Sequence, residues 1–349
     1  MKKSNICRII VSLTKSSGFF LATVCVAIIL LSLIVLFYYV RPVHIENVQG
    51  GTDYVWPPHS YWVTLTEGVS VGHYDALGFN NVSVVDNPDI LVLGSSHMEG
   101  TNIFPSEAAP YLLGTYLKGG YSVYNKGVSG HDFFKIAQYL PINIELYKKK
   151  PKFIVLETST VDVRKKNIDE ILSGKVKHTQ SHNMGVVGLL QKVPFFRLLY
   201  MQKKGGLLNI FVPSQKRNSA NTAQGKDDFL DVLPYENLFN YFRSIEDRFG
   251  TEIIIVYHPT GEIQKDGSIL FRSSERKDLF GKFADEYGIS FVDLTADFEK
   301  MYYQEHHVAH GFVTGKLERG HLNKYGHAVM AKALCQTIVD MQKEGGACK

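Results

Sequence analysis

Five short strand-like runs, most of them rich in aliphatic residues and each followed by helical periodicity, constrain this chain more than any other feature. They are "DILVLG" over 89–94, "YSVYNKG" over 121–127, "KFIVLET" over 152–158, "TEIIIVYHP" over 251–259 and "ISFVDLT" over 289–295. Helices are expected over 106–118, through "DFFKIAQYL", around 236–248, over 273–287 and over about 324–343. In the last of these Met330, Leu334, Ile338 and Met341 share one face. A strand that is apolar on both sides must be covered on both sides, and strand–helix alternation makes neighbouring strands parallel. The expected fold is therefore α/β, a parallel sheet between helical layers, with ligands bound at the C-terminal edge of the strands.

Two regions break the rhythm. Residues 41–88 carry Gly, Pro, Tyr and Val without a helical period and read as an extended lead-in segment of short strands. Residues 163–235 read as an insertion holding an apolar, basic stretch over 185–204 and then a polar tract. The domain proper is expected over 89–345.

Before the lead-in, "GFFLATVCVAIILLSLIVLFYYV" over 18–40 contains no charged residue. As a helix rising about 1.5 Å per residue it would extend roughly 35 Å, enough to cross a bilayer core. Lys2, Lys3, Arg8 and Lys15 precede it with no acid among them, so residues 1–17 are expected in the cytoplasm and the chain after Arg41 outside. A cleaved signal peptide fits less well, because the apolar run is long and "YYVRP" lacks small residues at a cleavage position. The expectation is a single-pass protein of the cytoplasmic membrane with its domain periplasmic or extracellular. Cys335 and Cys348 could pair there, and two free thiols fit equally well. Net charge is only +4 and no basic tract is interleaved with aromatics, so nucleic acid is not an expected partner.

The first strand ends at Gly94 and presents Ser95, Ser96 and His97. Near the other end of the chain, "LERGHLNKYGH" over 317–327 places Glu318 three residues before His321. A serine nucleophile needs a base, and the base needs an acid that fixes its tautomer. A carboxylate at that spacing could curl back onto the imidazole Nδ1 across one turn, leaving Nε2 to face Ser96. A plain helix cap by Ser95 and Ser96 is the competing reading. His306, His307 and His310 in "EHHVAHGF" have a spacing that suits a metal, but no cysteine or carboxylate accompanies them, and no metal is expected. His258 ends the fourth strand as a candidate for the pocket rim. Glu157, ending the third, is read as a salt-bridge partner.

These stretches resemble blocks of the SGNH/GDSL hydrolase superfamily. "LVLGSSHMEG" resembles the block that carries the nucleophile after the first strand, which implies Ser96. "YNKGVSG" resembles the block whose glycine N–H binds the oxyanion, which implies Gly127 beside the N–H of Ser96. "ERGHLNKYGH" resembles the Asp-x-x-His block, which implies His321 as base and Glu318 as its acid. The resemblance covers roughly 85–165 and 250–343 and implies a three-layer α/β/α domain. In "VLETSTVD" the family's oxyanion asparagine is replaced by Val161, which has no donor. Loss of such a donor typically costs about 2.7–4 kcal/mol of transition-state stabilisation. Thr158, Ser159 or Thr160 is then a candidate substitute, and Ser95, His97, Asn125 and His258 are further pocket candidates.

The resemblance extends to divergent, membrane-anchored branches that act in envelope polysaccharide O-acetylation and teichoic acid D-alanyl transfer. It implies a serine esterase or acyltransferase, without metal or organic cofactor, acting on small acyl esters of a cell-envelope polysaccharide. A multi-span membrane acyltransferase is the implied protein partner. The alternatives are a lipid-directed esterase or thioesterase, with 185–200 as a lid, and a non-catalytic scaffold or glycan-binding subunit.

Overall fold

The computed structural model describes residues 17–33, 45–64, 67–174, 232–272, 276–313, 317–342 and 348. The chain divides into two compact units, Met1–Val40 with Gln180–Ala223, and Arg41–Thr179 with Gln224–Lys349. In the first unit the described residues form one helix over 17–33, with Phe19, Phe20, Leu21 and Ile29 exposed. Among the described residues no helix is long and apolar enough to cross a membrane. Residues 34–40 of the expected span lie outside them, as does the stretch 185–204.

The second unit is built on a five-stranded sheet. Its strands are β1 (Ile90–Gly94), β2 (Val123–Gly127), β3 (Phe153–Thr158), β4 (Glu252–Tyr257) and β5 (Ser290–Asp293). They lie in the order β5-β4-β3-β1-β2, all parallel. Gly94 pairs with Gly127, and Thr158 with Tyr257, so the strands end along one edge. All five coincide with the expected runs.

Alternation along each strand divides the core in two. Leu91, Leu93, Ile154, Leu156, Ile253 and Ile255 pack on one face with the helices Phe133–Glu145, Leu233–Phe249 and Lys277–Tyr287. Ile90, Val92, Phe153, Val155, Ile254 and Val256 pack on the other with Ala109–Tyr116 and the C-terminal helix Lys324–Gln342. This is the expected three-layer arrangement, and it explains why the central strands β1, β3 and β4 read as unbroken apolar runs: neither side meets water, whereas the edge strand β5 is half-buried.

The lead-in segment forms two antiparallel hairpins, Ile45–Glu46 with Tyr54–Val55 and Tyr61–Thr64 with Ser70–His73. It is more than a leader. The buried carboxylate of Glu99 accepts Trp56 Nε1–H at 2.7 Å and Tyr74 O–H at 3.1 Å from this segment, together with the Ser129 N–H at 2.8 Å. Multiple donors of this kind satisfy a buried carboxylate, and they fasten Trp56 and Tyr74 to the sheet edge. Two further hairpins that the periodicity did not reveal lie in the second half. Thr260–Ile263 pairs with Ile269–Arg272, and His310–Gly311 pairs with Leu317–Leu322. Cys335 of the C-terminal helix is bonded to Cys348.

Candidate active site

The turn after β1 separates the two serines by role. Ser95 is the N-cap of the four-residue helix Ser96–Glu99, its hydroxyl accepting the His97 N–H at 3.2 Å. Its own N–H donates to Glu157 Oε2 at 2.7 Å. Ser96, the first helical residue, directs its hydroxyl away from the cap to His321 Nε2 at 2.9 Å. The cap reading therefore holds for Ser95, and Ser96 faces the imidazole.

His321 stands near the end of the strand Leu317–Leu322. Asn323 follows at once, and its Oδ1 accepts the N–H groups of Tyr325 and Gly326 while its Nδ2–H donates to Val308 O at 2.7 Å. The side chain thus caps the C-terminal helix and anchors the residue after Leu322. The ring Nδ1 lies 2.9 Å from Glu67 Oε2, and the His321 backbone N–H donates to Glu67 Oε1 at 2.8 Å. An ionised carboxylate only accepts hydrogen bonds, so Glu67 places the neutral ring's proton on Nδ1. The lone pair on Nε2 is then available to the Ser96 hydroxyl. Ser96, His321 and Glu67 form a continuous hydroxyl–imidazole–carboxylate line.

Glu318 is not the acid of this line, which corrects the expectation from sequence. Its Oε2 accepts the Ile263 N–H at 2.9 Å. The expectation assumed a helical turn between Glu318 and His321, but the segment is a strand, in which residues at odd separation face opposite ways. Left-handed backbone at Glu318 (φ 68°) and Gly320 (φ 89°) breaks the alternation further. Gly320 also makes room for the true partner, since a Cβ there would meet Glu67 Oε1 at 2.0 Å.

Gly127 is likewise displaced from its expected role. Its N–H donates to Asn125 Oδ1 at 2.9 Å, so in this geometry it is not aimed at an oxyanion. A Cβ on Gly127 would stand 2.3 Å from the Glu99 nitrogen; the glycine lets the helix after the nucleophile lie against β2. Asn125 is buried framework, its Nδ2–H donating to Met98 O at 2.8 Å. Val161 is fully buried in the core. Thr158 Oγ1 accepts the Thr160 N–H at 3.1 Å and bonds the Thr160 carbonyl, which makes this pair a turn lock, while Ser159 is exposed. The N–H of Ser96 opens a helix, where the first N–H groups have no carbonyl partner within it.

Beneath the turn, Glu157 is 1% exposed and binds His258 Nε2 through Oε1 at 2.6 Å, while its Oε2 holds Ser95. Burial pushes its carboxyl up, but the hydrogen bond from His258, the neighbouring imidazoles and the Ser95 N–H outweigh this and hold it at about 2. Glu157, read from sequence as a salt-bridge partner, is held here by a hydrogen bond with His258. His258 does not line a pocket rim; it is fully buried. Of the three histidines in "EHHVAHGF", His306 is exposed and His307 stacks on Tyr325, whereas His310 is buried beside His258. His97 completes that group, its ring centre 4.5 Å from that of His258. Burial first, then repulsion from His258, hold His97 and His310 well below the ordinary imidazole value.

The residue that sequence reasoning missed is Glu67. It sits in a short loop between Thr64 and Ser70 without periodicity, and "TEG" carries no recognisable spacing to His321.

No family model matches the chain, and no curated protein matches it. Among solved structures, the acetyl xylan esterase AlAXEase is similar at 12% identity with a TM-score of 0.38, over 71% of this chain and 99% of that one. A lipolytic protein of the G-D-S-L family from Desulfitobacterium hafniense DCB-2 gives 10% identity and a TM-score of 0.37, over 72% of this chain and 99% of that one. A catalytic mutant of Axe2, an acetylxylan esterase from Geobacillus stearothermophilus, gives 14% and 0.36 over 72% and 94%. At such identities and scores, what this chain does has to be argued from its own residues.

Proposed function

We propose that this chain is a membrane-anchored, extracytoplasmic serine esterase or acyltransferase of SGNH type. Its substrates would be small acyl esters, acetyl above all, on a cell-envelope polysaccharide. The observation that carries the chemistry is the Ser96–His321–Glu67 line. Ser96 Oγ attacks the ester carbonyl as its proton passes to His321 Nε2. Glu67, bonded to Nδ1, stabilises the imidazolium that results. The N–H of Ser96 receives the developing oxyanion. His321 then returns the proton to the leaving alcohol, and the acyl group rests on Ser96 until water or a sugar hydroxyl, deprotonated by the same imidazole, removes it. These steps call on no metal or organic cofactor.

Anchoring is supported by the uncharged run 18–40, its basic N-terminal flank and the exposed apolar side chains of the helix over 17–33. An extracytoplasmic site is supported by the Cys335–Cys348 disulfide, a bond typical of oxidising compartments. An anchor would raise the effective concentration of membrane-held glycan intermediates and fits a multi-span acyltransferase as donor partner.

Engagement of the Gly127 N–H and loss of the asparagine donor at Val161 leave a sparse oxyanion site. That favours slow hydrolysis, with acyl transfer prevailing where a bound acceptor is well oriented, a gain that reaches about 7–11 kcal/mol for well-placed reactants. The same observation favours a second reading, a non-catalytic glycan-binding subunit. Incubating the full-length chain with an acetyl ester donor and envelope oligosaccharides, followed by mass spectrometry, separates them. Acetylated sugar supports the transferase, ester loss without acetylated sugar an esterase, and neither, in folded protein, the subunit.

A further inference from the structure

His97, His258 and His310 reach one point from three separate segments: the helix after β1, the end of β4 and the strand His310–Gly311. One ring nitrogen of each lies within 4.8 Å of the other two. The Ser96–His321–Glu67 line uses none of them, although the His97 ring centre lies 5.3 Å from that of His321. We propose that this cluster binds one divalent transition ion of the zinc type.

Two observations support the site. Nδ1 of His258 and Nε2 of His310 are 3.2 Å apart; two ligands of a tetrahedral ion with arms of about 2.0–2.1 Å stand about 3.3 Å apart. His258 also has its outer partner in place. Glu157, a carboxylate, takes the Nε2–H of His258 at 2.6 Å, which turns the Nδ1 lone pair towards the cluster. Carboxylate–imidazole–metal chains of this form orient the ligand and raise its basicity. A donor set of imidazoles alone selects ions such as zinc over calcium or magnesium, which take oxygen ligands. His97 is less buried than the other two, which gives an ion and a fourth, water ligand a way in.

Without an ion the cluster satisfies itself in another way. His97 Nδ1 accepts the Leu322 N–H at 3.1 Å, which places its proton on Nε2, and His310 Nε2–H donates to His258 Nδ1. Binding requires the His310 proton to change nitrogen, and it takes the His97 Nδ1 lone pair from Leu322, either for the ion or for the proton displaced from Nε2. The Leu322 N–H then loses its acceptor at the peptide immediately after His321. Occupation is therefore coupled to the backbone that carries the candidate base.

The test uses the full-length chain, stripped with a chelator and dialysed against zinc, with Co(II) as a spectroscopic probe. The expected result is one equivalent of zinc per chain and, with cobalt, the visible absorption of a tetrahedral site. His258→Ala and His310→Ala should each weaken binding by more than tenfold, and Glu157→Gln by about 10–100-fold. His306→Ala and His307→Ala should leave it unchanged. Substoichiometric metal in wild-type protein shown to be folded by circular dichroism overturns the proposal. Binding that survives in both His258→Ala and His310→Ala, or is lost equally in His306→Ala or His307→Ala, also overturns it. Labelling of Ser96 by a fluorophosphonate reads the esterase proposal separately.

Discussion

Glu67 and His321 are 254 residues apart in sequence, yet the carboxylate holds the imidazole at two points, Nδ1 at 2.9 Å and the backbone N–H at 2.8 Å. The hairpin that carries Glu67 belongs to the segment before the first strand of the sheet. The site is thus completed by a part of the chain that sequence reading had set outside the domain.

Replacing Glu67 with Gln should lower kcat for a model acetyl ester by about 10³–10⁴, because the amide can set the wrong tautomer on His321. Glu318→Gln should change kcat little, since that carboxylate accepts a backbone N–H on a neighbouring hairpin. Steady-state kinetics of the two variants decide the matter, and the reverse order would restore Glu318 as the acid.

Glu157→Ala should destabilise the fold by about 3–5 kcal/mol, the range for a buried pair that loses one member. The change leaves the Ser95 N–H and the buried His258 Nε2–H without their acceptor. Urea unfolding followed by circular dichroism measures it. A loss below about 1 kcal/mol would mean that the carboxylate contributes little to holding the nucleophile turn.

Stability should fall as pH is lowered from 7.5 to 5. Burial holds His327 down at about 3 and His131 at about 4, and it lowers His97 and His310 as well. Unfolded, each titrates near the ordinary value of about 6.5. Between those limits the unfolded chain binds more protons, so the stabilisation is complete above about 6.5 and is lost as pH falls towards the folded values. Each such group removes up to about 1.4 kcal/mol per pH unit in this window. The check is the urea midpoint at the two pH values, and an equal or higher midpoint at pH 5 would contradict the burial of these rings.

Much of the fold was legible because the strands are buried on both faces: "DILVLG" and "TEIIIVYHP" are continuous apolar runs bounded by turn residues. Ser96 and His321 were legible because each follows a recognisable local pattern. Glu318 misled for a physical reason, since an i, i+3 pair meets on a helix and this segment is a strand with left-handed breaks at Glu318 and Gly320. Glu67 was not legible, and His258 and His310 were read as a pocket-rim candidate and as one of a local histidine trio, not as neighbours of each other. Tertiary packing of loops brings them together, and no sequence spacing encodes it.

Reduction of the Cys335–Cys348 disulfide should lower stability by about 2–3 kcal/mol, the loop-closure effect for a separation of 13 residues. Thiol-blocking mass spectrometry of protein from the native host should find both cysteines oxidised. Two free thiols in freshly isolated protein would contradict an oxidising location for the domain.

The central claim, a serine activated by the His321–Glu67 pair, is tested most directly by measuring the rate at which a fluorophosphonate modifies the full-length chain, with the site located by peptide mass spectrometry. The account predicts one adduct, on Ser96, formed at normal rate in Ser95→Ala, much more slowly in Glu67→Gln and not at all in His321→Ala. Folded protein that forms no adduct on Ser96, or forms it as fast in His321→Ala as in the wild type, would contradict it.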